Sequence, residues 1–196
     1  LGRTKEFFTY LAPRVEGLFQ KFGDPAMTAE NLYALKTFVK PGVDRKGADE
    51  VTYFFHILHR MRLENDLIAG RLKVKDLPEA WNAGIKDLLG VEPQTHAQGC
   101  LQDVHWFVGK FGYFPAYTMG HMMAAQIHDK MKLDIQNIPQ LMGAGDFMPI
   151  QAWLLDKIYR NGRLMRSDDL LDSVTGAKLT PAPLINHLQE RYLGAL

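Results

Sequence analysis

One cysteine, Cys100, stands in the 196-residue chain, so no disulfide can form within it, and that fits a reducing compartment. No apolar run approaches the roughly 20 residues that a bilayer span needs. The amino-terminal Leu1-Gly2-Arg3-Thr4-Lys5 lacks the charged-then-apolar layout of a signal peptide, and it enters a helical pattern directly. Charge of one sign is also missing. With 23 basic against 22 acidic residues the formal net charge is +1, so no broad basic field attracts nucleic acid. No internal repeat, low-complexity tract or alternating strand pattern of useful length is present. These absences point to a cytoplasmic protein that engages neither nucleic acid nor membrane.

What remains is helical periodicity. With 46% apolar and 23% charged residues the composition is that of a globular protein, and the chain reads as one all-α unit, residues 1–196. Phe7, Phe8, Leu11, Val15, Leu18, Phe19 and Phe22 follow the three-and-four rhythm, with Pro13 expected to kink or divide that helix. Thr28 is a candidate N-cap for a second helix through Phe38. After Pro41-Gly42 and a loop over 43–47, the spacing predicts the longest helix from about Ala48 to Ala69. Val51, Phe54, Phe55, Leu58, Met61 and Arg62 mark one stripe of it, with Tyr53, Ile57, Glu64 and Ile68 beside it; Phe54, Phe55 and Leu58 are core-like, and Gly70 is its stop. Pro78 opens a helix through Trp81, Ile85 and Leu88 that ends at Gly90.

Residues 91–114 lose regularity, and a short hairpin near 105–115 is compatible with their pattern. Helices are then expected from Pro115 to about Met131, from an Asp134 cap to about Gly143, and from Pro149 to Asn161-Gly162. Two more run from Ser167 to Gly176 and from Thr180-Pro181 through Tyr192.

No H-E-x-x-H, the usual zinc-protease pattern on a helix, occurs in the chain. His56 and His59 lie one turn apart but lack an intervening acid, so buried or surface histidines are the simpler reading. His121 and His128 are read the same way. Cys100, although near His105, reads as a small buried thiol rather than a nucleophile. The informative run is Gly99-Cys100-Leu101-Gln102-Asp103-Val104-His105-Trp106, followed by Phe111-Gly112-Tyr113-Phe114-Pro115-Ala116-Tyr117. It gathers a carboxylate, an imidazole and two phenols. An acid can fix a histidine tautomer, and His and Tyr can donate hydrogen bonds to a developing oxyanion. A polar knot tying a loop to helices would use the same residues.

Gly99, Gln102, Asp103, His105 and Trp106 fill the pattern G-x-x-Q-D-x-H-W, which resembles a signature of the carboxypeptidase Taq family of metallocarboxypeptidases. Arg45, Ala48 and Asp49 resemble a second family pattern, with Asp44 where an aliphatic residue is expected. Asp76-Leu77-Pro78-Glu79-Ala80-Trp81-Asn82, Gly90-Val91-Glu92-Pro93 and the stretch from Trp153 to Gly176 are similar to family text as well. The resemblance implies an almost wholly helical, gluzincin-like enzyme, usually a homodimer, that removes single residues from peptides with a free carboxyl terminus. It implies one divalent metal, zinc or cobalt, in the intact enzyme. The family's metal ligands and general-base Glu belong ahead of Gly2-Arg3-Thr4, so this chain alone is expected to bind no metal and to be inactive. By the same resemblance His105, Tyr113 and Tyr117 would stabilise the tetrahedral intermediate. Arg45 would grip the substrate carboxylate, with Gln102 and Asp103 orienting that wall. For Arg45 and Asp49 a structural ion pair is the alternative, and for the chain as a whole a non-catalytic helical binding or regulatory module.

Overall fold

The structure, a computed structural model, describes residues 1–194. Among them the regular elements are α-helices with three short 3-10 turns, and no strand occurs. The helices are α1 (Lys5–Phe19), α2 (Ala29–Thr37), α3 (Tyr53–Ile68), α4 (Leu77–Leu89), α5 (Phe114–Asp134), α6 (Ile138–Ala144), α7 (Met148–Lys157), α8 (Ser167–Thr175) and α9 (Ala182–Tyr192). They group into two compact units, Leu1–Thr37 with the chain from His121 onward, and Phe38–Gly120.

In the first unit α1 packs on α2 and α6. Its core holds Met131, Ile138, Met142, Ile150, Trp153 and Val174, with Phe7 and Phe147 against it. Thr4 caps α1 by accepting from the Phe7 N–H at 3.3 Å, and the helix runs unbroken through Pro13. It ends at Phe19 because Gln20 turns left-handed (φ 53°) and returns its N–H to Glu16 and Gly17. Asp134 does not cap α6. It closes α5 instead, its carboxylate taken by Lys130 at 2.6 Å and the Trp153 indole N–H at 2.9 Å, while left-handed Asn137 precedes α6.

The second unit pairs α3 with α4 and adds the irregular segment 91–113 and the start of α5. Pro78 and Gly90 bound α4 as the spacing predicts, and Trp81, Ile85 and Leu89 form its buried stripe, with Leu63 and Cys100 in the same core. Three expectations fail in this unit. The long helix starts at Tyr53 rather than Ala48, because the Asp49 carboxylate accepts the N–H groups of Val51 and Thr52 at 2.9 and 2.8 Å and holds a turn. That leaves α5, with 21 residues, as the longest helix. The possible hairpin at 105–115 is a series of turns, since Gly109 and Gly112 take φ of +72° and +71° and break any extended run.

The buried face of α3 is the larger surprise. Phe55 is exposed, and the residues that point inward are His56, Ile57, His59, Arg60, Leu63 and Glu64. Burying Arg and Glu is tolerated only with partners, and the segment 103–112 provides them. Close helix approach helps, because Gly84 of α4 lies against the His59 ring where a Cβ would overlap it.

Candidate functional site

Asp103 is the hub. Arg45, in the turn ahead of α3, donates to it from Nη2 at 2.5 Å and from Nε at 3.1 and 3.3 Å. Arg60, on α3, donates from Nε to Oδ2 at 2.6 Å. Both guanidiniums are buried, Arg60 completely. Arg45 is also held by its backbone N–H, which donates to Gln102 Oε1 at 3.0 Å, and its Nη1 reaches the Tyr53 hydroxyl at 3.2 Å. Gln102 in turn donates from Nε2 to the carbonyls of Val43 and Gln98 at 3.1 and 2.7 Å, which ties the Arg45 turn to the G-x-x-Q-D run. Arg45 and Asp49 do not pair. Asp49 is engaged by Thr52, Val51 and the Lys40 N–H.

Charge follows geometry. Burial works against an ionised Asp103, yet the hydrogen bonds and charges of Arg45 and Arg60 hold its carboxyl below the usual carboxylate range. Burial likewise opposes charge on Arg45, and Asp103 and Tyr53 outweigh it and raise the guanidinium. Arg60 is brought down to about 10, chiefly by burial and in part by Arg45, against the pull of Asp103.

His105 lies among aromatic rings. Its ring is 4.4 Å from that of Phe114, 5.6 Å from Tyr113 and 5.8 Å from Tyr117, centroid to centroid. Its Nε2 is 2.9 Å from the Tyr117 hydroxyl, and its Nδ1 is 3.9 Å from Asp103 Oδ1. A proton on Nδ1 faces that carboxylate favourably and leaves Nε2 to accept from Tyr117, so this tautomer fits the surroundings. Burial first, then Arg45, Lys110 and Arg60, keep the imidazole neutral below its ordinary range, despite Asp103. The Arg45 guanidinium carbon sits 5.2 Å from the Tyr117 ring centre, so the Arg45–Asp103 pair and the His105–Tyr117 pair adjoin.

The sequence reading places these six residues at a site, and the structure brings Arg45, Gln102, Asp103, His105, Tyr113 and Tyr117 into one neighbourhood. It adds three that the reading did not single out. Tyr53 and Arg60 bind Arg45 and Asp103, and Glu64 accepts the Trp106 indole N–H at 2.7 Å and the Gly112 N–H. Arg60 and Glu64 stand four and eight residues after His56, a face readable as a helical stripe but indistinguishable from a solvated one without its partners.

His56 and His59 are buried and brought to about 4, by burial first and then by Arg60. Cys100 is buried in the core and its thiol is raised by burial. Among the described residues no three His, Cys, Asp or Glu side chains converge as metal ligands would, and no helix is long and apolar enough to cross a membrane.

Residues 1–192 match the family described as carboxypeptidase Taq (M32) metallopeptidase. Thermostable carboxypeptidase 1 of Pyrococcus furiosus is 37% identical over 193 residues, covering 98% of this chain and 38% of that protein. Carboxypeptidase 1 of Bacillus subtilis is 38% identical with the same coverage. The solved structure of metallocarboxypeptidase 1 of Trypanosoma cruzi superposes with a TM-score of 0.89 at 37% identity, over 98% of this chain and 40% of that one. The chain thus spans under two-fifths of the length of the curated relatives it matches.

Proposed function

Since the chain belongs to the carboxypeptidase Taq (M32) metallopeptidase family, we propose that it forms one part of a carboxypeptidase that hydrolyses the last peptide bond of peptides with a free carboxyl terminus. The observation that carries this reading is the joining of a buried Arg45–Asp103 pair to a His105–Tyr117 pair within one aromatic-lined patch. Arg45 receives the substrate's terminal carboxylate, a role that suits a guanidinium. Asp103 and Gln102 fix its side chain and backbone. His105 and Tyr117 already share one proton between Nε2 and the hydroxyl, and turning it toward the scissile carbonyl stabilises the oxyanion. Tyr113, whose ring is 5.3 Å from that of Tyr117, is the second phenol of that wall.

Family membership implies a divalent metal in the intact enzyme, zinc or cobalt in this proposal, where it would supply the activated nucleophile. The residues described here do not fit that ion. The histidine pair on α3, His56 and His59, is sealed beneath Arg60 and against Trp81, and among the described residues no acid joins it as a third ligand. The ligands and the activating Glu therefore lie elsewhere in the parent protein, and the isolated chain is inactive and binds no stoichiometric zinc. The intact enzyme is a homodimer in a cytoplasmic setting.

The test is made in the metal-loaded parent with an N-blocked dipeptide. Arg45→Ala should raise KM by about tenfold to a hundredfold, the scale of a hydrogen bond to a charged group. His105→Ala should lower kcat by about a hundredfold or more with little change in KM. Unchanged kcat in the His105 variant would remove it from the reaction, and the chain would then read as a binding module.

A further inference from the structure

The reading of Arg45 as the carboxylate-binding residue leaves a difficulty that the structure resolves through Arg60. Arg45 and Asp103 alone form a neutral, self-satisfied pair, with the carboxylate already occupying the Nε–Nη2 edge that a substrate carboxylate would want. Such a pair projects little net charge. Arg60 changes the balance. It is fully buried and binds Asp103 Oδ2, and its Nη1 donates to the His56 carbonyl at 2.9 Å. Its Nη2 has no hydrogen-bond partner. The Trp81 and Phe114 rings lie 4.6 and 5.7 Å from its guanidinium carbon and keep the charge dry.

Among the described residues Asp103 is the one carboxylate that either guanidinium binds. Nearby acids are committed elsewhere. Asp44 accepts the N–H groups of Lys46 and Gly47, Asp49 those of Val51 and Thr52, and Glu64 the Trp106 and Gly112 donors. Within the triad two buried cations bind one carboxylate, so Arg45, Asp103 and Arg60 together sum to one positive charge, and Asp44, Asp49 and Glu64 make their hydrogen bonds to neutral donors rather than to either guanidinium. A surplus cation away from water is costly unless an anion completes it.

We propose that Arg60 is a positioning residue for substrate recognition, offsetting Asp103 so that Arg45 presents a net positive charge to the peptide's terminal carboxylate. This rests on the role given to Arg45 above and deepens it. Arg60 need not touch the substrate. It holds Asp103 in place from α3 and divides the carboxylate's charge between two cations, and the anion that completes the cluster comes from the substrate.

The experiment separates charge from shape at position 60 in the full-length, metal-loaded enzyme. Arg60→Gln keeps a donor for Asp103 and removes the cation, whereas Arg60→Lys keeps the cation. With a blocked dipeptide substrate, Arg60→Gln should raise KM about tenfold, the scale of one charge at several ångströms in a partly buried site. Its kcat should stay within about twofold, and Arg60→Lys should recover most of the loss in KM. In calorimetry, Arg60→Gln should weaken binding of N-acetylphenylalanine and leave its amide unaffected. Should Arg60→Gln fail to melt cooperatively, Arg60→Met, close in volume, takes its place. Equal KM in the Gln and Lys variants, or loss of kcat instead of KM, would overturn the proposal and leave Arg60 a packing residue. Arg45→Ala run in parallel distinguishes the two levels. If it raises KM and Arg60→Gln does not, only the role of Arg60 falls. If Arg45→Ala itself leaves KM unchanged, the recognition of a terminal carboxylate by this cluster falls with it.

Discussion

Lowering the pH from 7 to 5 should destabilise the second unit, and the reason lies in two histidines on α3. His56 and His59 are 0% and 3% exposed, and both are brought from 6.5 to about 4 by burial and by the Arg60 charge. A depressed histidine takes up its proton more readily unfolded than folded. Between about pH 6.5 and 4 the unfolded chain therefore binds more protons, and stability falls as pH falls. At pH 5 the solution is about 1.5 units below the unfolded value of each ring and still above its folded one. At about 1.4 kcal/mol per unit that costs about 2 kcal/mol, or about 4 kcal/mol for the pair if they act independently. Set against a total stability of about 5–15 kcal/mol, the loss is large. His128, also brought to about 4 by burial and then by positive charge around it, adds a change of the same sign in the first unit. The carboxylates held low, Asp49, Asp103 and Asp134, lose their contribution only as pH falls through still lower values, so the interval from 7 to 5 reports on imidazoles. Urea unfolding followed by circular dichroism at the two pH values measures the difference, and ring-proton NMR of the folded chain follows each histidine. A midpoint that does not move, or His56 and His59 signals titrating near 6.5 in the folded protein, would refute the reasoning.

Two further outcomes follow from the same unit. Gly84→Ala should destabilise by about 1–2 kcal/mol. The gain of about 1 kcal/mol in helix propensity is outweighed by overlap of the new methyl with the His59 ring, which Trp81 backs at 5.0 Å. The loss should shrink when His59→Ala is added in a double-mutant cycle, and equal losses in both backgrounds would place the cause elsewhere. Glu64→Gln should lower stability by about 1–3 kcal/mol, because one of its two acceptor oxygens becomes a donor facing the Trp106 or Gly112 N–H. A thermal midpoint unchanged from the wild type would show that the segment 106–112 is held by other contacts.

Helix ends were the most legible part of the fold, for a local reason. Gly70, Gly90 and Gly176 take left-handed φ of 71°, 69° and 73° where the apolar spacing lapses, and Thr28 accepts the Asn31 N–H at 3.2 Å. Asp49 and Asp134 misled because a carboxylate beside a helix terminus has several uses. Asp49 holds a turn ahead of α3, and Asp134 accepts an indole N–H from α7, nineteen residues on. Local pattern cannot rank such alternatives when the partner is distant in sequence. The orientation of α3 failed for the same cause, since hydrophobicity alone puts Phe54 and Phe55 inside.

The candidate site divides along the same line. Gln102, Asp103, His105, Tyr113 and Tyr117 fall within 16 residues of one another and could be read as a group, and resemblance drew in Arg45. Arg60 and Glu64 stand 43 and 42 residues before the partners they bind, Asp103 and Trp106, and nothing in their own stretch marks them. Yet they decide what α3 is for. A helix built only to pack would carry apolar residues on that face, since replacing buried ions by apolar groups is often neutral or stabilising. This one presents Arg60 and Glu64 one turn apart, about 6 Å along a rigid axis. The first anchors Asp103 and the second anchors Trp106 and Gly112, which brackets His105 on both sides. Two anchors on one rigid helix fix both position and direction of the short segment between them, which a loop's own backbone does not. The polar face of α3 is therefore best understood as the mount for His105 and Asp103, and its cost in stability as the consequence of holding them still.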